Sequence, residues 1–446
     1  MTKVIVLVDG EHYPPVTRWG IEHAVARGLE PVGVLLIGGT EKLPADGSLD
    51  LGGAAVESTT DPVLALPEAI DRLGPDAILD LSDEPVLGYR ERLHLASIAL
   101  ARGCAYLGAD FRLDPPPRDP PPPIPTVAVI GTGKRTGKTA IGGHLARLAS
   151  SAGLRPIVVA MGRGGPSEPQ VAEGSIDLEA LRELARQGQH ASSDYLEDAL
   201  TAGVTTVGAR RCGGGLAGAP YATNVPEAVR EAERLGAGML VLEGSGAAIP
   251  PVDWDAGILV APANLDPEYL GGYLGPYRLL RSDLLILTMV SGSGSGPASL
   301  STLVSHVRRV RSDARIATSD FVPTPLGDVE GNRVFFATTA SEHGADAQVR
   351  SLEARHGVTV VAFSRRLADR TGLAEDIRGA PDFDLLLTEL KAASVDVAAE
   401  LAAERGAGVV FVDNRPETAP GPGDGEVDDL LMEIVRLAAE RAKERR

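Results

Sequence analysis

Short runs of consecutive apolar residues alternate along this chain with stretches in which apolar positions recur every three to four residues. VIVLV from Val4, VGVLLI from Val32 and AILDL from Ala77 have the length and branching of buried strands, while TRWGIEHAVARG and RERLHLASIALARG have helical spacing. That alternation predicts a small parallel sheet with covering helices. The rhythm stops at DPPPRDPPPPIP, residues 114–125, where consecutive prolines remove backbone donors and favour a stiff, extended spacer. It resumes with TVAVI, PIVVA, MLVLE, GILVA, LLILTMV, VFFA, VVAF, DLLL and VVFV, which predict a larger doubly wound sheet. The tail EIVRLAAERAKERR has the pattern of a terminal amphipathic helix. The expected organisation is α/β, with a small N-terminal Rossmann-like domain over residues 1–113, a Pro-rich linker over 114–125 and a larger domain over 126–446.

Length and composition agree with this division. A chain of 446 residues is long enough for two substantial cores, and 43% hydrophobic with 23% charged residues is ordinary globular usage. No apolar run has the length needed to cross a bilayer, and the N-terminus shows no cleavage-site pattern, so a cytoplasmic protein is expected. Cys104 and Cys212 lie far apart without metal-ligand spacing, which predicts reduced, packing residues. The net charge of -18 argues against a nucleic acid or an anionic membrane as partner. An anionic substrate must therefore meet local positive charge. Lys134, Arg135 and Lys138 form one such cluster, Arg210 and Arg211 a second, and Arg365 and Arg366 a third.

The first cluster sits in TVAVIGTGKRTGKTAIGGHLARLA, which reads as a strand, a Gly-rich loop and a helix with Ile141, Leu145 and Leu148 on one face. A phosphate chain needs many donors and little obstruction. Gly131, Gly133 and Gly137 let backbone N–H groups converge, and the helix N-terminus adds favourable partial charge. The loop from Gly131 through Thr132, Gly133, Lys134, Arg135, Thr136, Gly137, Lys138, Thr139 and Ala140 is thus expected to bind ATP. Lys138 would reach the β- and γ-phosphates, and the Thr139 hydroxyl would meet Mg²⁺. The metal needs a second acid at a neighbouring strand end, and MLVLEGSG supplies Glu243 there. Lys134, Lys138, Arg163 and Glu243 are the expected catalytic residues.

Candidate acceptor contacts lie elsewhere in the chain. In MGRGGPSEP, Arg163 is set among glycines including Gly164, and RRCGGGLAG joins Arg210 and Arg211 to a glycine run. Arg135 belongs with them. In HASSDYLEDAL, Asp194 followed by Glu197 fits a helix-capping box better than a substrate contact. Asp9 and His12 cluster at the end of the first strand, as substrate contacts or as a hydrogen-bonded structural pair. Thr388, Glu389 and Lys391 after DLLL, and Asn414 in VVFVDNRP, stand where P-loop proteins often read the nucleotide base.

The loop spacing GTGKRTGKT resembles that of dethiobiotin synthetases and other SIMIBI-class P-loop proteins. The ordered series DGEHYPPV, SDEPVLGYRER, GTGKRTGKT, MGRGGP, SSDYLEDA, RRCGGGLAG, LEGSGAAIPP, TELKAA and VVFVDNRP resembles the cyclic 2,3-diphosphoglycerate synthetase family. The resemblance spans nearly the whole chain. It implies an ATP-dependent ligase that closes 2,3-diphosphoglycerate into a cyclic phosphoanhydride, with Mg²⁺ as cofactor and a homodimeric assembly. Two other readings remain open: a kinase making open 2,3-diphosphoglycerate from 2-phosphoglycerate, and a regulatory SIMIBI switch.

Overall fold

The computed structural model of the protein describes residues 1–43, 49, 51, 55–291 and 297–445. It divides into two compact units. The first comprises Met1–Pro117 with Asp266–Arg281 and His306–Ser312, and the second comprises Arg118–Leu265, Ser282–Ser305 and Asp313–Arg446. Each is α/β. No described helix is long and apolar enough to cross a membrane.

In the first unit the strands are β1 (Thr2–Val8), β2 (Leu29–Leu36), β3 (Val56–Ser58), β4 (Ala77–Asp80), β5 (Ala105–Leu107) and β6 (Arg112–Leu113). Their order is β3-β2-β1-β4-β5-β6, parallel except for the antiparallel β5–β6 pair. β1 lies between β2 and β4 in the interior of the sheet, and its apolar run is buried continuously from Val4 to Val8. Helix Pro62–Leu73 starts where its sequence dictates, with the Asp61 carboxylate accepting from Val63 N and Leu64 N. Helix Tyr89–Ala101 packs against the later segment Gly275–Leu280, which buries Tyr277 and Leu279.

The second unit carries β7 (Thr126–Gly131), β8 (Pro156–Gly162), β9 (Gln170–Ala172), β10 (Thr206–Cys212), β11 (Ala222–Thr223), β12 (Met239–Glu243), β13 (Ala256–Pro262), β14 (Leu284–Thr288), β15 (Arg315–Pro325), β16 (Arg333–Ala337), β17 (Thr359–Ser364), β18 (Leu385–Thr388) and β19 (Gly408–Thr418). They form one sheet in the order β11-β10-β8-β12-β7-β13-β14-β15-β19-β18-β16-β17, with β9 on β10. The strands from β10 to β15 along this path run parallel. At β15–β19 the polarity reverses, because these long strands pair antiparallel from Ser319↔Thr418 to Pro325↔Val412. Beyond that ladder β19, β18, β16 and β17 run parallel to one another.

The register has a spatial consequence. The last residue of β14, Thr288, lies opposite Ser319, whereas the last residue of β18, Thr388, lies opposite Phe411, which is bonded to Leu326 N. The two parallel arrays therefore point their carboxyl edges toward each other. Between them runs the segment from Ser319 to Leu326, on the order of 20 Å at ~3.3 Å per residue. Ligands collect at carboxyl edges, so this convergence sets the place for chemistry.

Candidate functional site

Strand β7 delivers Gly131 to the carboxyl edge, and the chain turns through Thr132–Gly137 into helix Lys138–Ser151. The loop is held from outside. Thr288 Oγ1 donates to Thr136 O at 2.8 Å, and Thr132 N donates to Val260 O at 3.3 Å. Gly137 has φ 94°, and a Cβ there would lie 2.2 Å from the Phe321 ring, so no other residue fits. Arg135, with φ 60°, takes the same strained region with a full side chain, as loops at functional sites do.

Lys138 is buried, and its ammonium folds back to donate to Gly133 O at 2.7 Å and Thr136 Oγ1 at 3.3 Å. Burial lowers its pKa to about 8; Glu243 and Asp194 oppose the shift, and the positive charges of Arg163 and Arg211 add to it. An incoming phosphate would replace the loop's own acceptors and restore the charge. Thr139 and Ala140 follow in the first helical turn, and Lys134 and Arg135 are exposed at the loop tip.

Glu243 ends β12, the strand beside β7, and is buried with its Oε1 lacking any hydrogen-bond partner. Burial, reinforced by Asp194 and Glu197, pushes its pKa up to about 8 against the pull of Lys138. The P-loop helix makes room for it: a Cβ on Gly142 would sit 1.9 Å from Glu243 Oε1. Gly143, the next residue, faces Asp198, whose Oδ1 is 3.4 Å from its hypothetical Cβ. Asp198 is completely buried, neither of its oxygens has a partner, and burial holds its carboxyl well above the usual range.

Asp198 comes from helix Asp194–Ala202, where the expected capping box is not formed. Ser193 is the N-cap without a side-chain cap bond, and Glu197 turns away to pair with Lys391 Nζ at 2.9 Å. Burial pushes the Glu197 carboxyl up to about 7, opposed by Lys391. Tertiary packing overrides the local signal here, because Asp194, Glu197 and Asp198 lie at helical spacing and all three influence Glu243 or its neighbours. That spacing was the available clue to Asp198, which sequence reasoning missed.

The arginines divide between two tasks. Arg163 and Arg211 both act on Lys138, which puts them in the field of the loop. Arg211 donates to Gly213 O at 2.6 Å and Ser245 O at 2.8 Å, tying the end of β10 to the turn after Glu243. Arg210 points elsewhere, donating through Nε to Gly165 O and Pro166 O at 3.2 and 2.9 Å and bracing the loop that carries Arg163 and Gly164. Cys212 is exposed beside it, whereas Cys104 is buried as expected.

The later residues spend most of their polar atoms within the protein. Glu389 accepts from Thr338 Oγ1, Thr339 Oγ1 and Asn414 Nδ2 at 3.0, 2.8 and 2.9 Å. Burial raises its pKa, but Lys391 and these hydrogen bonds outweigh burial and hold the carboxyl below its ordinary value. Thr388 donates to Glu389 O, and Asn414 Oδ1 accepts from Gln348. Asp9 and His12 belong to the first unit. There Asp9 Oδ1 accepts from His12 N and meets His12 Nδ1 at 2.8 Å, and Oδ2 accepts from Asp83 N. His12 is thus at least a structural partner of Asp9.

Among the described residues no three His, Cys, Asp or Glu side chains are arranged to hold a metal by themselves. The residues nevertheless fit a hard cation bound mainly by phosphate and water: Glu243 offers an orphaned buried oxygen, and Thr139 opens the adjacent helix.

Comparison with known proteins matches three family models: the N-terminal domain of cyclic 2,3-diphosphoglycerate synthetase over residues 3–114, its P-loop domain over 126–319 and its C-terminal domain over 325–415. A cyclic 2,3-diphosphoglycerate synthetase of Rubrobacter xylanophilus is 47% identical over 98% of both chains. Proteins of the same name from Methanothermobacter thermautotrophicus and Methanothermus fervidus are 40% and 39% identical, covering 98% and 100% of this chain and 96% and 99% of theirs. With all three domains matched in order and relatives aligned over almost its full length, the chain belongs to the cyclic 2,3-diphosphoglycerate synthetase family of P-loop enzymes.

Proposed function

We propose that the protein uses ATP to close 2,3-diphosphoglycerate into cyclic 2,3-diphosphoglycerate, releasing ADP and phosphate. The observation that carries this reading is the buried Lys138 within the field of Arg163 and Arg211, beside the unpaired Glu243. The acceptor oxygen belongs to a phosphate already ionised near neutral pH. The barrier is therefore anion meeting anion, and positioning with charge neutralisation suffices without a strong base.

In the first step a phosphate oxygen of the substrate bonds to the γ-phosphorus of ATP, the bond from that phosphorus to the β,γ-bridging oxygen breaks, and ADP departs. In the second, the substrate's other phosphate attacks the inner phosphorus of the new anhydride and expels inorganic phosphate, closing the ring. Lys138 and the loop amides hold the transferring group, while Arg163 and Arg211 spread the charge of the acceptor. Lys134 and Arg135, exposed at the loop tip, follow the γ-phosphate. Thr139 and Glu243 would hold Mg²⁺, which supplies further neutralisation of the triphosphate when bound.

Phosphorus NMR of the purified protein with ATP, Mg²⁺ and 2,3-diphosphoglycerate tests the reading. An upfield anhydride signal is expected to grow with ADP and phosphate, and Lys138→Ala is expected to abolish it. Persistence of open substrate would remove ring closure, and formation of 2,3-diphosphoglycerate from 2-phosphoglycerate alone would leave a kinase. ATP hydrolysis that appears only with a protein partner would favour a regulatory switch.

A further inference from the structure

The C-terminal array has a carboxyl edge of its own. Strand β16 connects to β17 on one side, and the chain then crosses to β18 on the other side of β16. This places a topological switch point at the ends of β16 and β18, the position where open parallel sheets leave a crevice for ligands. Thr338 and Thr339 follow β16 there, and Glu389 and Lys391 follow β18. Through the reversed ladder of β15 and β19, this edge faces the edge that carries the P-loop.

Within that crevice Glu389 is spoken for by threonine hydroxyls and Asn414. Lys391 pairs with Glu197 at 2.9 Å, its one ion-pair partner among the described residues, and lies in the field of Glu389; the Glu197 contact uses one of the ammonium's three donors. The backbone around it is unusual in two independent ways. Ala392, the next residue, has φ 50°, a left-handed conformation that a side-chain-bearing residue rarely adopts. Ser394–Ala399 then forms a π-helix, a rare element that recurs at functional sites. The buried Ser394 hydroxyl meets Ser192 Oγ at 3.2 Å, fixing the π-helix beside the segment that leads to Glu197. All of this strain serves one placement: a lysine from the C-terminal array set against the acidic helix of the P-loop half, close enough to act on Glu243.

We propose that Lys391 binds a phosphate of the acceptor, as the cation that the C-terminal domain contributes to the reaction opposite the nucleotide-gripping Lys138. Glu197 aims the ammonium and leaves donors over for the phosphate. This assignment rests on the substrate reading above and replaces a role for Lys391 in reading the nucleotide base.

The test compares acceptor kinetics with nucleotide binding in the full chain. Lys391→Met is expected to raise the KM for 2,3-diphosphoglycerate roughly tenfold or more, as the loss of a charge-assisted contact does. The Kd for a fluorescent ATP analogue, measured without acceptor, should stay within about twofold of wild type, and Lys391→Arg should restore most of the acceptor affinity. An unchanged acceptor KM, or an equal loss of nucleotide affinity, would overturn the proposal while leaving ring closure intact. If Lys391→Met does not fold, Glu197→Gln decides. Glutamine keeps a carbonyl acceptor that aims the ammonium but removes the competing negative charge, so acceptor binding should tighten roughly two- to fivefold, and no change or a weakening would overturn the proposal. Wild-type protein that turns over ATP but shows no saturable binding of 2,3-diphosphoglycerate would instead sink the substrate reading, and with it this ligand for Lys391.

Discussion

Gly142 and Gly143 stand side by side inside the P-loop helix, where each glycine costs about 1 kcal/mol relative to alanine. Their neighbours explain the pair unequally. Alanine at 142 would drive its methyl into Glu243, displacing the carboxyl from a buried slot; alanine at 143 would meet Asp198 at an ordinary contact distance. Gly142→Ala is therefore expected to lower turnover at least tenfold with its circular dichroism intact, and Gly143→Ala to keep turnover and gain about 0.5 kcal/mol in stability. Equal turnover in the two variants would contradict this assignment. Protonation supplies a second residue-scale prediction. Unfolded Glu243 releases its proton near its ordinary 4.5, but the folded, nucleotide-free protein retains it up to about 8. The folded state binds more protons across that window, so stability falls as pH rises. Urea unfolding at pH 6 and pH 8 should show a drop in wild type that is smaller in Glu243→Gln, and identical drops would count against it. The positions of Lys138 and Glu243 were legible from sequence because a strand end and a Gly-Lys-Thr turn fix them locally. Asp198 was not, since its helical spacing from Asp194 sets the two on one face but does not say that the face is buried.

At the scale of elements, the helix that starts at Lys138 is clamped along its length by a polar chain. Arg147 donates to Thr201 O and Asp413 Oδ2 at 2.9 and 2.8 Å and to His144 Nδ1 at 2.9 Å. Because arginine only donates, His144 Nδ1 must accept, and Nε2–H donates to Asp428 at 2.6 Å. The chain joins the P-loop helix to helix Asp194–Ala202, to β19 and to the C-terminal helix Val427–Glu444. Arg147→Met removes the closer of the two arginines on the buried Asp413, leaves Arg415 Nε at 3.2 Å, and frees Thr201 O and His144 Nδ1; it is expected to cost about 2 kcal/mol in denaturant unfolding, and a change under about 0.5 kcal/mol would show the chain to be incidental. The apolar runs located most of these strands in the sequence. β10 was hidden because arginines and a cysteine end it, and β15 because RIATSDFVPTP carries two prolines and little alternation. β15 is held by its long pairing with β19, a partner about a hundred residues away that no local window contains.

The whole molecule is not threaded as two beads. The chain returns to the first unit at Asp266–Arg281 and again at His306–Ser312, after the second unit has begun. A fragment ending at Pro117 loses the segment that buries Tyr277 and Leu279 against helix Tyr89–Ala101. It is expected to be less stable than the same unit in the full chain by several kcal/mol, read as a lower unfolding midpoint of its circular dichroism; an unchanged midpoint would make the returning segments dispensable. The reversed ladder in the second unit has its own consequence. The spacing between the P-loop edge and the carboxyl edge of the C-terminal array is counted in rungs of paired backbone, like marks on a ruler, and no loop can slacken it. Removing two facing residues from each of β15 and β19 would keep every side chain on its proper face and shorten the span by roughly 7 Å. With Lys138 and Lys391 gripping from opposite edges as proposed, an enzyme so cut would measure out a smaller acceptor.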